Sequence, residues 1–248
     1  MGMNYYYTSP AEPVALRVIM TAVTMRLKGR LPFMLFNLSV PILISRIITL
    51  LVAFTIHEFA HAATANALGD DTPRMHGRLT LNPLAHLDVM GTITLLLAGF
   101  GWAKPVPINP YALRRKSSAG VMLVSIAGPL SNLLLGALAA IPLRLRWVPL
   151  VTGTGPLLPT WGEFLLEFLF INLALFLFNL IPLAPLDGEK VITFFLPDHW
   201  VEFYDRIRPY SPLILLAVIF VLPMFGLDLV NLVIQQPLMG LARFLVNW

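Results

Sequence analysis

The chain has 248 residues, of which 57% are hydrophobic and only 12% charged, and its formal net charge is +4. Because soluble domains are typically about 45–50% apolar, this composition excludes an ordinary soluble fold and predicts an all-α polytopic membrane protein, a bundle of about four to six transmembrane helices. The positive charge fits basic cytoplasmic loops, and we expect no nucleic-acid partner because no basic stripe is interleaved with aromatic residues.

The N-terminal residues 1–30 are mixed in character, with four basic residues spaced among apolar ones. This pattern predicts an interfacial segment that lies on the membrane and precedes a membrane domain of residues 31–248.

The first span lies within a nearly continuous apolar run from Leu31 to about Leu68. At about 1.5 Å per residue the run would be about 57 Å long, which is more than one span needs, so it is expected to begin at the membrane interface. Gly69 is the predicted C-cap.

Residues 70–116 are the most polar and irregular part of the chain. The apolar piece from Val89 to Ala103 is short and rich in Gly and β-branched residues, which predicts a re-entrant or β-like segment between the first and second core helices. The following stretch, KPVPINPYALRRK, contains four basic residues and no acid. The positive-inside rule therefore predicts that this loop is cytoplasmic.

Three further spans are predicted, at about Ser118–Leu143, Phe164–Leu183 and Pro212–Gln235, and Pro223 and Gly226 are candidate breaks in the last one. Arg46 and Glu167 are lone charges within apolar spans, for which we predict snorkelling or pairing inside the bundle. Other polar residues are predicted to be solvated, hydrogen-bonded or to join helices: His76, His86, His199, Asn172 and Asn179.

The sequence HEFAH near the end of the first span places His57, Glu58 and His61 in an H-E-x-x-H pattern. Helical residues four apart share a face, so the two imidazoles can bind one metal ion, and the carboxylate beside them can take a proton from zinc-bound water. The absence of Cys excludes thiolate ligands. Two histidines and an acid in an apolar span are costly without such a role.

A third protein ligand is expected, because catalytic zinc usually has three. The metzincin extension is absent, since Thr64 and Ala67 occupy its Gly and third His positions. Asp187 is the strongest candidate because it follows a proline-broken span and precedes Gly188, although Asp-Gly is also a common turn pair. Three other acids are conceivable ligands: Glu163, Glu167 and Glu189.

Three segments together resemble the motifs of the site-2 protease family of intramembrane zinc metalloproteases: HEFAH, GPLSN (Gly128 to Asn132) and NLIPLAPLDG (Asn179 to Gly188). GRLTLNPLAHLD and GFGWAKPVPINP resemble segments of the compact bacterial branch of that family, for which no PDZ or CBS domain is expected. The resemblance covers roughly residues 45–195.

This resemblance implies a zinc endopeptidase that hydrolyses peptide bonds within or near transmembrane segments of other membrane proteins. It implies that His57, His61 and Asp187 are zinc ligands, that Glu58 is the general base, and that Asn132 holds the substrate backbone or the oxyanion. Asn132 could equally join helices. The expected location is the bilayer of a bacterial cytoplasmic membrane, with the active site near the cytoplasmic face.

One position departs from the family pattern, because Glu189 stands where a second Gly often follows LDG; it could change turn flexibility or offer a nearby carboxylate. A catalytically inactive metal-binding scaffold or a metal transporter is the alternative function. The polar residues converge on one site instead of following a path, and metal binding alone does not require Glu58, so the sequence favours the protease.

Overall fold

Helices form the regular structure of this computed structural model, which describes residues 39–91, 102–149 and 158–247. Within those ranges the sole β-type pairing is an isolated bridge. The helices are α1 (Val40–Ala67), α2 (Thr72–Met75), α3 (Pro110–Lys116), α4 (Gly120–Arg144), α5 (Trp161–Asn179), α6 (Asp187–Phe195), α7 (Asp198–Phe225) and α8 (Gln236–Val246). Short turns at Pro83–Ala85 and Asn231–Gln235 are 3₁₀ and π, respectively.

Four of the described helices are long and apolar enough to cross a membrane: α1, α4, α5 and α7. The chain is therefore consistent with a helical membrane bundle, as the composition predicts. The first three spans lie close to their predicted positions.

The last span differs from the predicted one at Pro212–Gln235. Helix α7 begins at Asp198 and ends at Phe225, where Gly226 adopts the left-handed conformation with φ +80°. Because this turn reverses the chain, α8 packs back against α4 and α5. Only 6% of the most apolar stretch of α7 is buried, compared with 28–33% for the other spans, so α7 lies at the periphery.

Helix α1 ends at the predicted glycine. Gly69 has φ +86°, a conformation that an L side chain disfavours, and its N–H donates to the Asn66 carbonyl. The Asp70 N–H donates to the Ala65 carbonyl, which completes a Schellman motif. The chain therefore leaves the first span sharply, two turns beyond the H-E-x-x-H sequence.

The core of the bundle is α4, which packs against both α1 and α5. On α1 the buried residues recur every fourth position, and most are small: Ser45, Thr49, Ala53, His57, His61 and Ala65. Small side chains let membrane helices approach closely, which brings the histidines of α1 against the backbone of α4.

Two predicted segments fall outside the described residues: the N-terminal interfacial segment 1–30, and residues 92–101 of the re-entrant or β-like segment. The two ends of the latter are described and lie side by side. Leu87 and Ala103 form an antiparallel bridge, and the Lys104 N–H donates to the His86 carbonyl at 2.8 Å.

The two lone charges in the spans pair with each other, which is one of the two predicted alternatives, snorkelling or pairing. Arg46 Nε of α1 lies 2.7 Å from Glu167 Oε1 of α5, and both side chains are mostly buried. A charge within a membrane span is tolerated when it is paired, so this contact fixes α1 against α5.

Replacing Arg46 with Met should destabilise the bundle by about 2–4 kcal/mol, because it leaves a mostly buried carboxylate without its partner. The double variant Arg46→Met/Glu167→Met should recover most of this loss, since no unpaired charge remains. Unfolding free energies in mixed micelles titrated with SDS measure both effects. A double variant as unstable as the sum of the two single variants would contradict this interpretation.

Candidate metal centre

Three side chains from α1 and the start of α6 converge inside the bundle. His57 Nε2 and His61 Nε2 are 3.0 Å apart, and each lies 3.2 Å from Asp187 Oδ2. The two histidines are buried, and the Asp187 side chain is only 14% exposed. Sequence motifs more than 120 residues apart thus meet at one point.

The other nitrogen of each imidazole is held by α4. His57 Nδ1 lies 2.6 Å from Asn132 Oδ1, and His61 Nδ1 lies 2.7 Å from the Val124 carbonyl oxygen. Because both partners accept, each Nδ1 carries the proton and donates it. The Nε2 lone pairs therefore face each other and the carboxylate, an arrangement that requires a cation between them, either a proton or a metal ion.

The donor set and its spacing fit zinc. Tetrahedral zinc with bonds of about 2.0–2.2 Å places neighbouring ligand atoms about 3.3–3.5 Å apart, close to the separations observed here. Two imidazoles and one carboxylate are a ligand set of catalytic zinc sites, with the fourth position left for water or substrate. The hydrogen bonds to Nδ1 are those that usually orient metal-binding histidines.

Gly128 of α4 provides the space that a bound ion needs. A Cβ atom at this position would lie 2.6 Å from His57 Nε2 and closer still to His61 Nε2. Any larger residue would therefore occupy the space in front of the two ring nitrogens. This explains the glycine of GPLSN in physical terms.

Asp187 reaches the site because the chain turns after α5 ends at Asn179. Gly188 packs tightly there, since a Cβ atom would lie 2.5 Å from the Ile181 carbonyl oxygen. Burial alone would raise the pKa of the Asp187 carboxyl, but hydrogen bonds and charge interactions with His57 and His61 outweigh it and hold the pKa well below its usual range. Asp187 is therefore an anionic member of the group.

Glu58 follows His57 on α1, and its side chain is buried. Among the described residues nothing donates a hydrogen bond to its carboxylate, although Arg78 interacts with it electrostatically. Its carboxylate therefore lies beside the ligand group without a hydrogen-bond donor from the described part of the chain.

Sequence identity to a curated relative shows the family of this chain. Over 178 residues the chain is 44% identical to the protein named "Putative zinc metalloprotease YwhC" of Bacillus subtilis, a match that covers 72% of this chain and 80% of that protein. The chain belongs to this zinc metalloprotease family. With a ligand group positioned to bind a metal ion, the predicted zinc cofactor is confirmed.

Two more distant relatives carry a similar name. The protein named "Putative zinc metalloprotease Rip2" is 34% identical over 147 residues in Mycolicibacterium smegmatis and 32% identical over 149 residues in Mycobacterium tuberculosis. These matches cover 56% and 57% of this chain, and 52% and 53% of the relatives, so the chain spans about half the length of each Rip2 protein. No protein-family model matches the chain, and no solved structure matches it.

Asn132 of this metalloprotease joins α4 to α1 and α5. Its side chain is completely buried; Oδ1 contacts His57, while Nδ2 donates to Asn172 Oδ1 at 3.1 Å and to the Ala53 carbonyl at 3.4 Å. These contacts match the alternative in which Asn132 joins helices, and its role at the substrate stays a prediction. Asn132 orients His57, and Asn172 holds Asn132.

The other candidate acids lie elsewhere. Glu163 caps α5 together with Thr160, and Glu167 pairs with Arg46. Glu189, the departure from the family pattern, faces away from the histidines and binds Arg208. Asp187 is therefore the acid that reaches the two imidazoles.

Sequence reasoning missed Arg78 and Asp70, two buried charges in the loop after α1. The Arg78 guanidinium donates to the carbonyls of Ala85, Lys104 and Pro105, and burial lowers its pKa while Glu58 opposes that shift. Asp70 accepts the N–H groups of Thr72 and Asn109. Charged residues in a polar loop are ordinarily solvated, so no sequence signal distinguished these two.

Replacing Gly128 with Ala should reduce bound zinc to less than a tenth of the wild-type content, because the added methyl group occupies the ion's position. The fold should be kept, since Ala has a higher helix propensity than Gly and the change adds a single methyl group. Zinc content by inductively coupled plasma mass spectrometry, together with thermal unfolding, measures both. Gly240→Ala is the matched control, because a Cβ atom there meets nothing within 4 Å. Wild-type zinc content in the Gly128→Ala variant would refute the assigned position of the ion.

Proposed function

We propose that this protein is an intramembrane zinc endopeptidase of the site-2 protease type, which hydrolyses peptide bonds within or near transmembrane segments of other membrane proteins. The observation that carries the proposal is that His57 and His61 lie within α1, a helix apolar enough to span a membrane, and that Asp187 meets them there. A site at this position within the membrane suits a substrate that is itself in the membrane better than a soluble peptide.

The depth of the site follows from its place on α1. His61 and His57 lie six and ten residues before Ala67, where the helix ends. At about 1.5 Å per residue these positions are about 9 and 15 Å from the helix end. The loop that follows carries Arg74, Arg78, Lys104, Arg114, Arg115 and Lys116. The positive-inside rule supports a site below the cytoplasmic surface of a bacterial membrane.

The chemistry divides between the metal and the chain. His57, His61 and Asp187 would hold zinc, which would supply Lewis-acid activation of water and of the scissile carbonyl. The Glu58 carboxylate accepts the proton of the attacking water and returns it to the leaving amine. Asn132 and the Val124 carbonyl keep both imidazoles in the tautomer that turns Nε2 toward the reaction.

Scaffold and transporter functions are not favoured. Neither requires a carboxylate next to the ligand group, and the relatives are named "Putative zinc metalloprotease".

Replacing Glu58 with Gln should lower the cleavage rate by at least about 100-fold, because the amide cannot accept the proton. Bound zinc should stay at the wild-type level, since Glu58 is not among the three convergent ligand atoms. Cleavage of a panel of single-span membrane proteins in proteoliposomes, with zinc content measured on the same samples, tests both expectations.

Wild-type protein that binds zinc yet cleaves none of the panel would contradict the proposed function, and so would a Glu58→Gln variant with full activity. Glu202→Gln, which changes an exposed acid of α7, is the control for removing one carboxylate.

A further inference from the structure

Two charged side chains tie the segment that carries Asp187 to helix α7. Arg208 Nε donates a hydrogen bond of 2.9 Å to Glu189 Oε1, and a second guanidinium nitrogen contacts the same oxygen. The Glu189 side chain is only 7% exposed, whereas that of Arg208 is 53% exposed. A buried carboxylate is tolerated only with donors or a cation nearby, so Arg208 makes Glu189 acceptable at this position.

Glu189 and Asp187 occupy opposite faces of the first turn of α6, because helical residues two apart differ by about 200° in direction. Asp187 Oδ2 contacts His57 and His61, while Glu189 contacts Arg208. Gly188 packs between them against the Ile181 carbonyl. The turn is therefore held from both sides, and a shift at Glu189 would tilt Asp187 away from the imidazoles.

A second contact joins α7 to the same part of the chain. The Tyr204 hydroxyl donates to the Pro182 carbonyl at 3.1 Å, and most of the apolar length of α7 is exposed to its surroundings. These two contacts reach residues on either side of Asp187 in sequence, Pro182 before it and Glu189 after it. The second acid near Arg208 is Asp205, whose Oδ1 lies 3.1 Å from it on the exposed side.

We propose that Glu189 and Arg208 are positioning residues for the metal centre: their ion pair sets the angle of the first turn of α6 at which Asp187 completes the ligand group. The inference rests on the proposed function only in taking Asp187 as a ligand of zinc. It requires no particular substrate.

Zinc affinity tests this inference independently of cleavage. The full chain in detergent micelles is titrated against a chromophoric zinc chelator for the wild type, Glu189→Gln, Arg208→Gln and the double variant. Each single change should weaken zinc binding about tenfold, the effect typical of losing a contact that orients a ligand. The double variant should bind zinc no more weakly than the weaker single variant, because all three lose one contact.

Asp205→Asn is the matched control. It removes the exposed partner of Arg208 and should keep the wild-type zinc affinity, as should the catalytic variant Glu58→Gln.

Three results would overturn the inference: unchanged zinc affinity in both single variants, losses that add in the double variant, or lower thermal stability of the zinc-free protein without a change in zinc affinity. If Arg208→Gln does not fold, Arg208→Lys replaces it; Lys keeps the charge but loses the planar two-nitrogen contact, so an intermediate loss is expected. Wild-type zinc affinity in both Arg208→Lys and Glu189→Gln would also overturn it. Zinc binding without cleavage would count against the proposed function alone.

Discussion

Three electron-pair donors face one another at 3.0–3.2 Å inside a bundle of apolar helices, and a cation must reconcile them. Two imidazole nitrogens and a carboxylate oxygen in such an environment would otherwise repel and lack solvation. Helices α1 and α6 bring these three atoms together, and contacts from α4 hold the two imidazoles in the required orientation.

The convergence depends on close helix packing. Small residues every fourth position along α1 allow α4 to approach until its backbone meets the histidines, and Gly128 leaves room there for one ion. From the other side of α4, Asn172 of α5 holds Asn132, which in turn holds His57. Thus one chain of amides crosses three helices and fixes one tautomer. Loss of any member would free a ring whose orientation decides whether Nε2 points at the ion.

Much of this arrangement could be predicted from the sequence. The H-E-x-x-H spacing on a helix determines that His57 and His61 share a face. An acid close to the membrane is costly unless it pairs with a cation, and this cost makes Asp187, which follows a broken span, the strongest candidate for the third ligand. The same cost of an isolated charge predicts snorkelling or pairing for Arg46 and Glu167, and the structure shows that they pair. These inferences succeed because each depends on local geometry or on a strong energetic penalty.

Other features depend on tertiary contacts that a sequence does not encode locally. The contacts of Asn132 with α1 and α5 join three helices, and the sequence does not identify its partner Asn172. Gly226 is a candidate break in the last predicted span, but the return of α8 to the bundle depends on packing that hydropathy does not indicate. Arg78 binds backbone carbonyls of a later part of the loop, and Glu189 binds the guanidinium of Arg208. No periodicity or spacing marks such partners.

Zinc K-edge X-ray absorption on the purified protein measures the ligand group most directly. We expect one zinc per chain with two imidazole nitrogens and carboxylate oxygen at about 2.0–2.2 Å. Protein that binds no stoichiometric zinc, or zinc surrounded by oxygen atoms without imidazole scattering, would contradict the assignment of His57, His61 and Asp187 as its ligands.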